Sequence, residues 1–206
     1  MASGKRRKTG ISSSAALLFQ GGIGILGLLA ILLVGIPVHL AGAGVWSGLI
    51  YGIIGAAATY GLLLLLTRIP HLFPENLERQ MQGLYNFASS YPPAVLVFLS
   101  VLAGVGEELL FRGALQGWLM AHTGPLTALL AASVLFGLVH YVSFTYFLVA
   151  TGLGLILGTA YLLSESLLLV MVWHAIYDMI ALFCLLRFPR WFGVRPVDQD
   201  NSPLQE

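Results

Sequence analysis

Six stretches of this chain are long and apolar enough to cross a bilayer, and that constrains the fold more than any other feature. A spanning helix needs about 20 predominantly apolar residues. The runs Ser14–Val38, Gly44–Thr67, Pro93–Ala121, Pro125–Tyr141, Phe144–Leu163 and Ser166–Arg187 qualify. The expected fold class is all-α: a polytopic transmembrane helical bundle of about six spans. Composition agrees. Charged residues make up 9% of the chain, against about 25% in a soluble domain. The near balance of 10 Lys+Arg against 9 Asp+Glu gives no reason to expect a nucleic-acid partner. The partner to expect from composition is membrane lipid.

The positions of the basic residues orient the spans. Lys5, Arg6, Arg7 and Lys8 precede the first span, Arg68 and Arg79 lie between the second and third, and Arg187, Arg190 and Arg195 follow the sixth. With six spans all of these fall on one side, so both termini are expected to be cytoplasmic. The apolar run from Ala15 to about Leu40 is too long for a cleaved signal peptide and reads as a retained signal-anchor. The expected organisation is a basic cytoplasmic tail (1–13), two spans and a connector (14–90), a four-helix core (91–188) and a cytoplasmic tail (189–206), whose polar end VDQDNSPLQE reads as disordered. The location expected is a bacterial plasma membrane.

Three smaller features add detail. Leu77, Met81, Leu84, Tyr85 and Ala88 recur at helical spacing, with Glu75, Glu78 and Gln82 elsewhere on the wheel. That predicts a short amphipathic helix on the membrane surface. Gly44, Gly48 and Gly52, followed by Ala56, form a small-residue groove. Such a groove serves internal helix packing or a homo-oligomer. A single cysteine, Cys184, excludes an intrachain disulfide and reads as an apolar filler.

The chemistry lies in six ionisable groups inside the spans: Glu107, Glu108 and Arg112 on the third, His140 on the fourth, His174 and Asp178 on the sixth. Such groups are costly in lipid unless paired, and they mark function by default. Glu108 and Arg112 are four apart and can pair on one helix face. Glu107 points about 100° away and has no cation one turn along its own helix. His174 and Asp178 share a face. Counting 1.5 Å per residue puts Glu107 and His174 at similar depth, so a common cavity is expected.

Three chemistries fit this set. A carboxylate and a histidine can activate water for hydrolysis, with a second histidine and a polar partner at a developing oxyanion. Histidine and carboxylate can also hold zinc, in which case Glu107, His140 and His174 would be the ligands, although the HExxH spacing is absent. Ion-coupled transport uses the same residue types, but no inverted repeat or broken-helix pair is visible.

The motifs are Glu107-Glu108-x-x-x-Arg112, Phe136-x-x-x-His140 and His174-x-x-x-Asp178, in this order on separate spans. With them, the region from about Ala94 to Leu185 resembles the CAAX protease and bacteriocin-processing family of intramembrane endopeptidases, which includes the Ras-converting CAAX endopeptidase. The resemblance implies hydrolysis of a peptide bond in a membrane-associated protein or peptide. Glu107 would be the general base, His140 its partner on water, and His174 with Asp178 the oxyanion site. Glu108 and Arg112 would be a structural pair. No cofactor is expected, with a divalent metal such as zinc as the variant. A non-enzymatic immunity or scaffold protein on the same fold is the alternative. The CAAX endopeptidases proper tend to carry Asn at position 178. Asp178 is therefore either protonated or orients His174 by accepting a ring N–H, the second being the expectation adopted. Phe136 reads as packing.

Overall fold

The computed structural model describes residues 11–42, 44–69 and 77–195. The basic cluster Lys5–Lys8, Glu75 and the tail beyond Arg195 lie outside the described residues. The described chain is all-helical, without strands. Five helices are long and apolar enough to cross a membrane: α1 (Ser13–Val34), α2 (Val45–Leu66), the continuous run Pro93–Thr123, α7 (Phe144–Ser164) and α8 (Leu167–Arg187). The run Pro93–Thr123 comprises α4 (Pro93–Glu108), a π-helical stretch (Leu109–Gln116) and α5 (Gly117–Thr123).

Two details depart from the sequence expectation. The fourth apolar run, read as Pro125–Tyr141, forms a helix of only 15 residues, α6 (Pro125–Val139). At about 1.5 Å per residue it is roughly 22 Å long, less than the ~30 Å hydrocarbon core. It ends where the His140 backbone leaves helical geometry, at φ −97° and ψ 16°. The third run is one helix, but its turns widen from Leu109 to Gln116. Wide turns of this type concentrate at functional positions.

Local chemistry sets the helix boundaries. Ser12, Ser143 and Ser166 accept hydrogen bonds from Ala15, Tyr146 and Leu169 amides to cap α1, α7 and α8. Pro93 and Pro125 open α4 and α6, where the missing N–H is no loss. Between α7 and α8 the chain turns at Glu165, whose φ of 50° is the left-handed conformation usually left to glycine.

In the bundle α2 packs on α8, α6 on α7, and α4 on both α8 and α1. At one end, the Tyr91 hydroxyl donates to Ile11 O (2.7 Å), the Ser143 hydroxyl to Gln80 Oε1 (2.8 Å) and the Arg195 amide to Gln82 Oε1 (3.0 Å). The expected amphipathic helix, α3 (Leu77–Ala88), lies at this end. Met81, Leu84, Tyr85 and Ala88 are wholly or partly covered, while Glu78, Arg79 and Asn86 are exposed. At the other end the Gly42, Leu167 and Leu168 amides donate to Glu165 O, His39 O and Leu40 O.

The small-residue groove of α2 is filled from within the chain. A Cβ at Gly52 would meet Leu169 O at 2.8 Å, and one at Gly55 would enter the Trp173 ring. Gly48 faces Leu168 and Ser166. The groove expected to offer a homo-oligomer contact through Gly44, Gly48 and Gly52 is therefore occupied by α8 at Gly48 and Gly52. Gly44 is exposed at the helix start. Cys184 is a free, half-buried thiol.

A second crossing joins the π stretch to α7 by two rungs. Arg112 Nη2 donates to Gly154 O (3.1 Å) and Gln116 Nε2 to Gly158 O (3.1 Å). Both acceptors are glycines, which lets the side chains reach the helix backbone. A Cβ at Gly158 would stand 2.8 Å from Gln116 Oε1.

Candidate active site

The buried ionisable groups fall into two adjoining networks. The first is closed. Glu108 is fully buried, and its Oε1 accepts from Arg112 Nη1 (2.8 Å) and His174 Nδ1 (2.7 Å). Arg112 also binds Gly154 O, and its guanidinium lies over the Phe136 ring, 4.6 Å from the centroid. A lone arginine at the bilayer centre costs about 3 kcal/mol. Hydrogen bonds to charged groups return about 1.5–3 kcal/mol each. Two such bonds and a cation–π contact offset the cost.

The second network is partly open. Glu107 sits one residue earlier and points elsewhere, as the helical geometry requires. Its Oε1 accepts from Gln20 Nε2 on α1 (2.6 Å). Its Oε2 lies 3.4 Å from His140 Nε2 and has no hydrogen-bond partner. His140 Nδ1 is 2.8 Å from Phe136 O. A carbonyl can only accept, so Nδ1 holds a proton and donates. In the neutral ring Nε2 then carries a lone pair facing the free carboxylate oxygen. The His140 side chain is 29% exposed and that of Glu107 10%, whereas that of Glu108 is 0%.

Phe136 stands between the networks. Its ring is buried 4.5 Å from the His140 ring, 5.8 Å from the His174 ring and 5.1 Å from Phe111, centroid to centroid. It spaces the two imidazoles and supplies the carbonyl that fixes the His140 tautomer.

The structure thus brings Glu107 to His140 and Glu108 to Arg112 and His174. Asp178 is placed differently from expectation. Its Oδ2 is 3.7 Å from His174 Nε2, too long for a hydrogen bond. The orienting contact expected from Asp178 is made by Glu108 at Nδ1 instead, because the packing of α4 on α8 brings Glu108 to that nitrogen. His174 Nε2 is left facing Asp178 with no direct hydrogen bond. Among the described residues no three His, Cys, Asp or Glu side chains are gathered as a metal site would require.

Residues 89–180 match the family model described as "Type II CAAX prenyl endopeptidase Rce1-like". Through this segment, just under half of the chain, the protein is similar to that family. No curated protein matches the chain. No solved structure matches it. The family is one of membrane proteases, and the long apolar helices described are those of an integral membrane protein. The segment similar to the CAAX endopeptidase family runs from Ser89 to Ile180 and holds all six ionisable groups singled out above.

Three contacts escaped the sequence reading. The Glu108–His174 bond needs two helices in register, which spacing on one helix does not report. Phe136 was visible as a motif position but not as the spacer of two rings. Gln20 was visible as a lone amide in the apolar run LLFQGGIG. Attention to ionisable groups alone passes over it.

Proposed function

We propose that this chain is an intramembrane endopeptidase that hydrolyses a peptide bond of a membrane-associated substrate with water activated by Glu107 and His140. One observation carries the reading. Each group has one heteroatom tied to the protein, Glu107 Oε1 to Gln20 and His140 Nδ1 to Phe136 O. The remaining pair, Oε2 and Nε2, face each other at 3.4 Å on the more open side of the cluster. Both are acceptors when Glu107 is ionised and His140 neutral. A water donating to both presents its lone pairs to a carbonyl carbon.

On attack, the water's oxygen bonds to the carbonyl carbon and its proton passes to Glu107 or His140. The carbonyl oxygen becomes an oxyanion, for which His174 Nε2 is the nearby donor once protonated. Collapse of the tetrahedral intermediate breaks the C–N bond, and the proton moves to the leaving amine. The Glu108–Arg112 pair holds His174 so that Nε2 points away from its own anchor. The reading includes both termini in the cytoplasm, with the open side of the cluster toward that face of a bacterial plasma membrane, and the positions of the basic residues support this orientation.

The test is cleavage of a membrane-peptide library by the purified protein in liposomes. Wild type should cut, and Glu107→Ala and His140→Ala should each lose roughly 10²–10⁴-fold in rate. Full activity in Glu107→Ala would refute this mechanism. Chelation should leave the rate unchanged, and loss restored by zinc would replace the proposed step with a metal-dependent one. A cellular phenotype that survives Glu107→Ala would instead favour an immunity or scaffold role.

A further inference from the structure

We propose that Gln20, on α1 and outside the segment matched to the family, is a positioning residue for the hydrolysis assigned to Glu107 and His140. The inference rests on that assignment. Gln20 Nε2 donates to Glu107 Oε1 at 2.6 Å. The bond engages one carboxylate oxygen and turns the other toward His140. Without it the carboxylate is free to rotate about its last bond, and neither oxygen is selected.

The helix crossing is built to deliver this contact. Gln20, Gly24 and Gly27 are four and three residues apart, so they share one face of α1. A Cβ at Gly106 would lie 3.0 Å from Gly24 N and 3.3 Å from Gln20 O. One at Gly27 would lie 2.6 Å from Leu110 N. The two backbones touch, and the amide reaches the residue that follows Gly106. The far side of α1 is lipid-facing, with Leu18 76% and Phe19 71% exposed. A lone amide on such a helix needs a partner, and among the described residues its hydrogen bond goes to Glu107. The α1 span therefore supplies part of the active site as well as an anchor.

The experiment compares Gln20→Met and Gln20→Asn with wild type and Glu107→Ala, using purified full-length protein in liposomes and the best-cleaved peptide of the library. Methionine keeps the side-chain length and removes the donor, whereas asparagine keeps the donor but falls short by one methylene. Both should lower kcat about 10- to 100-fold, the scale of a misplaced reacting group. KM should stay within about threefold and the melting temperature should be unchanged if only orientation is lost. In a Glu107→Gln background, Gln20→Met should cause no further loss. Wild-type kcat in both Gln20 variants beside an inactive Glu107→Ala would overturn the inference and leave the Glu107 assignment standing. A fall in melting temperature with kcat and KM shifted together would overturn it in favour of helix packing. An active Glu107→Ala would remove both readings.

Discussion

Glu107 and Glu108 are neighbours in sequence and differ in almost every physical respect. Glu108 is sealed, and its bonded oxygen serves an arginine and a histidine at once. Glu107 bonds a single amide and faces a partly exposed histidine. A step of one residue on a helix rotates the side chain by about 100°, enough to separate a sealed carboxylate held by an arginine and a histidine from a less buried one held by a single amide. Burial and partners distinguish two identical side chains: the sealed one fixes geometry, and on the proposed reading the one beside the more open histidine serves proton transfer.

The sharpest way to break this contrast is to remove a cation from the closed network. Arg112→Ala leaves Glu108 buried with His174 as its only partner. Loss of one member of a buried pair costs about 3–5 kcal/mol. The variant should unfold early in a thermal melt, with activity lost alongside. Glu107→Ala should melt close to wild type, so equal destabilisation of both would erase the distinction. A smaller effect is expected at the edge of the site. Asp178 stands 3.7 Å from His174 and does not bond it directly. Asp178→Asn should keep kcat/KM within about tenfold of wild type, a cost of about 1.4 kcal/mol or less. Near-total loss in a peptide-cleavage assay would show that the carboxylate itself is required. The smallest effect should come from the turn remote from both networks. Glu165 holds φ at 50°, and Glu165→Gly should raise stability by about 1 kcal/mol with no change in rate.

Much of the fold was legible because lipid demands long apolar helices and penalises stray charge. The five long spans, the α3 helix and the Glu108–Arg112 pair all follow from rules that act within one helix. What escaped depended on relations between helices. The Gln20–Glu107 contact joins residues 87 positions apart. The contact of His174 with Glu108 instead of Asp178 depends on how α4 meets α8. The shortness of α6 escaped because hydropathy continues through Tyr141 and Val142 while the backbone turns at His140. Apolar character reports the solvent around a residue and is silent on where a helix stops.

The double rung between the π stretch and α7 acts as a vernier for the whole bundle. Sliding α7 one turn one way would set Gln116 against Leu162, where a leucine replaces the glycine. Sliding it the other way would set Arg112 against Ala150. With glycine at both 154 and 158, one alignment alone lets both polar arms reach backbone oxygen. The same alignment fixes how far α6, joined to α7 by a short loop, carries His140 along the bundle toward Glu107.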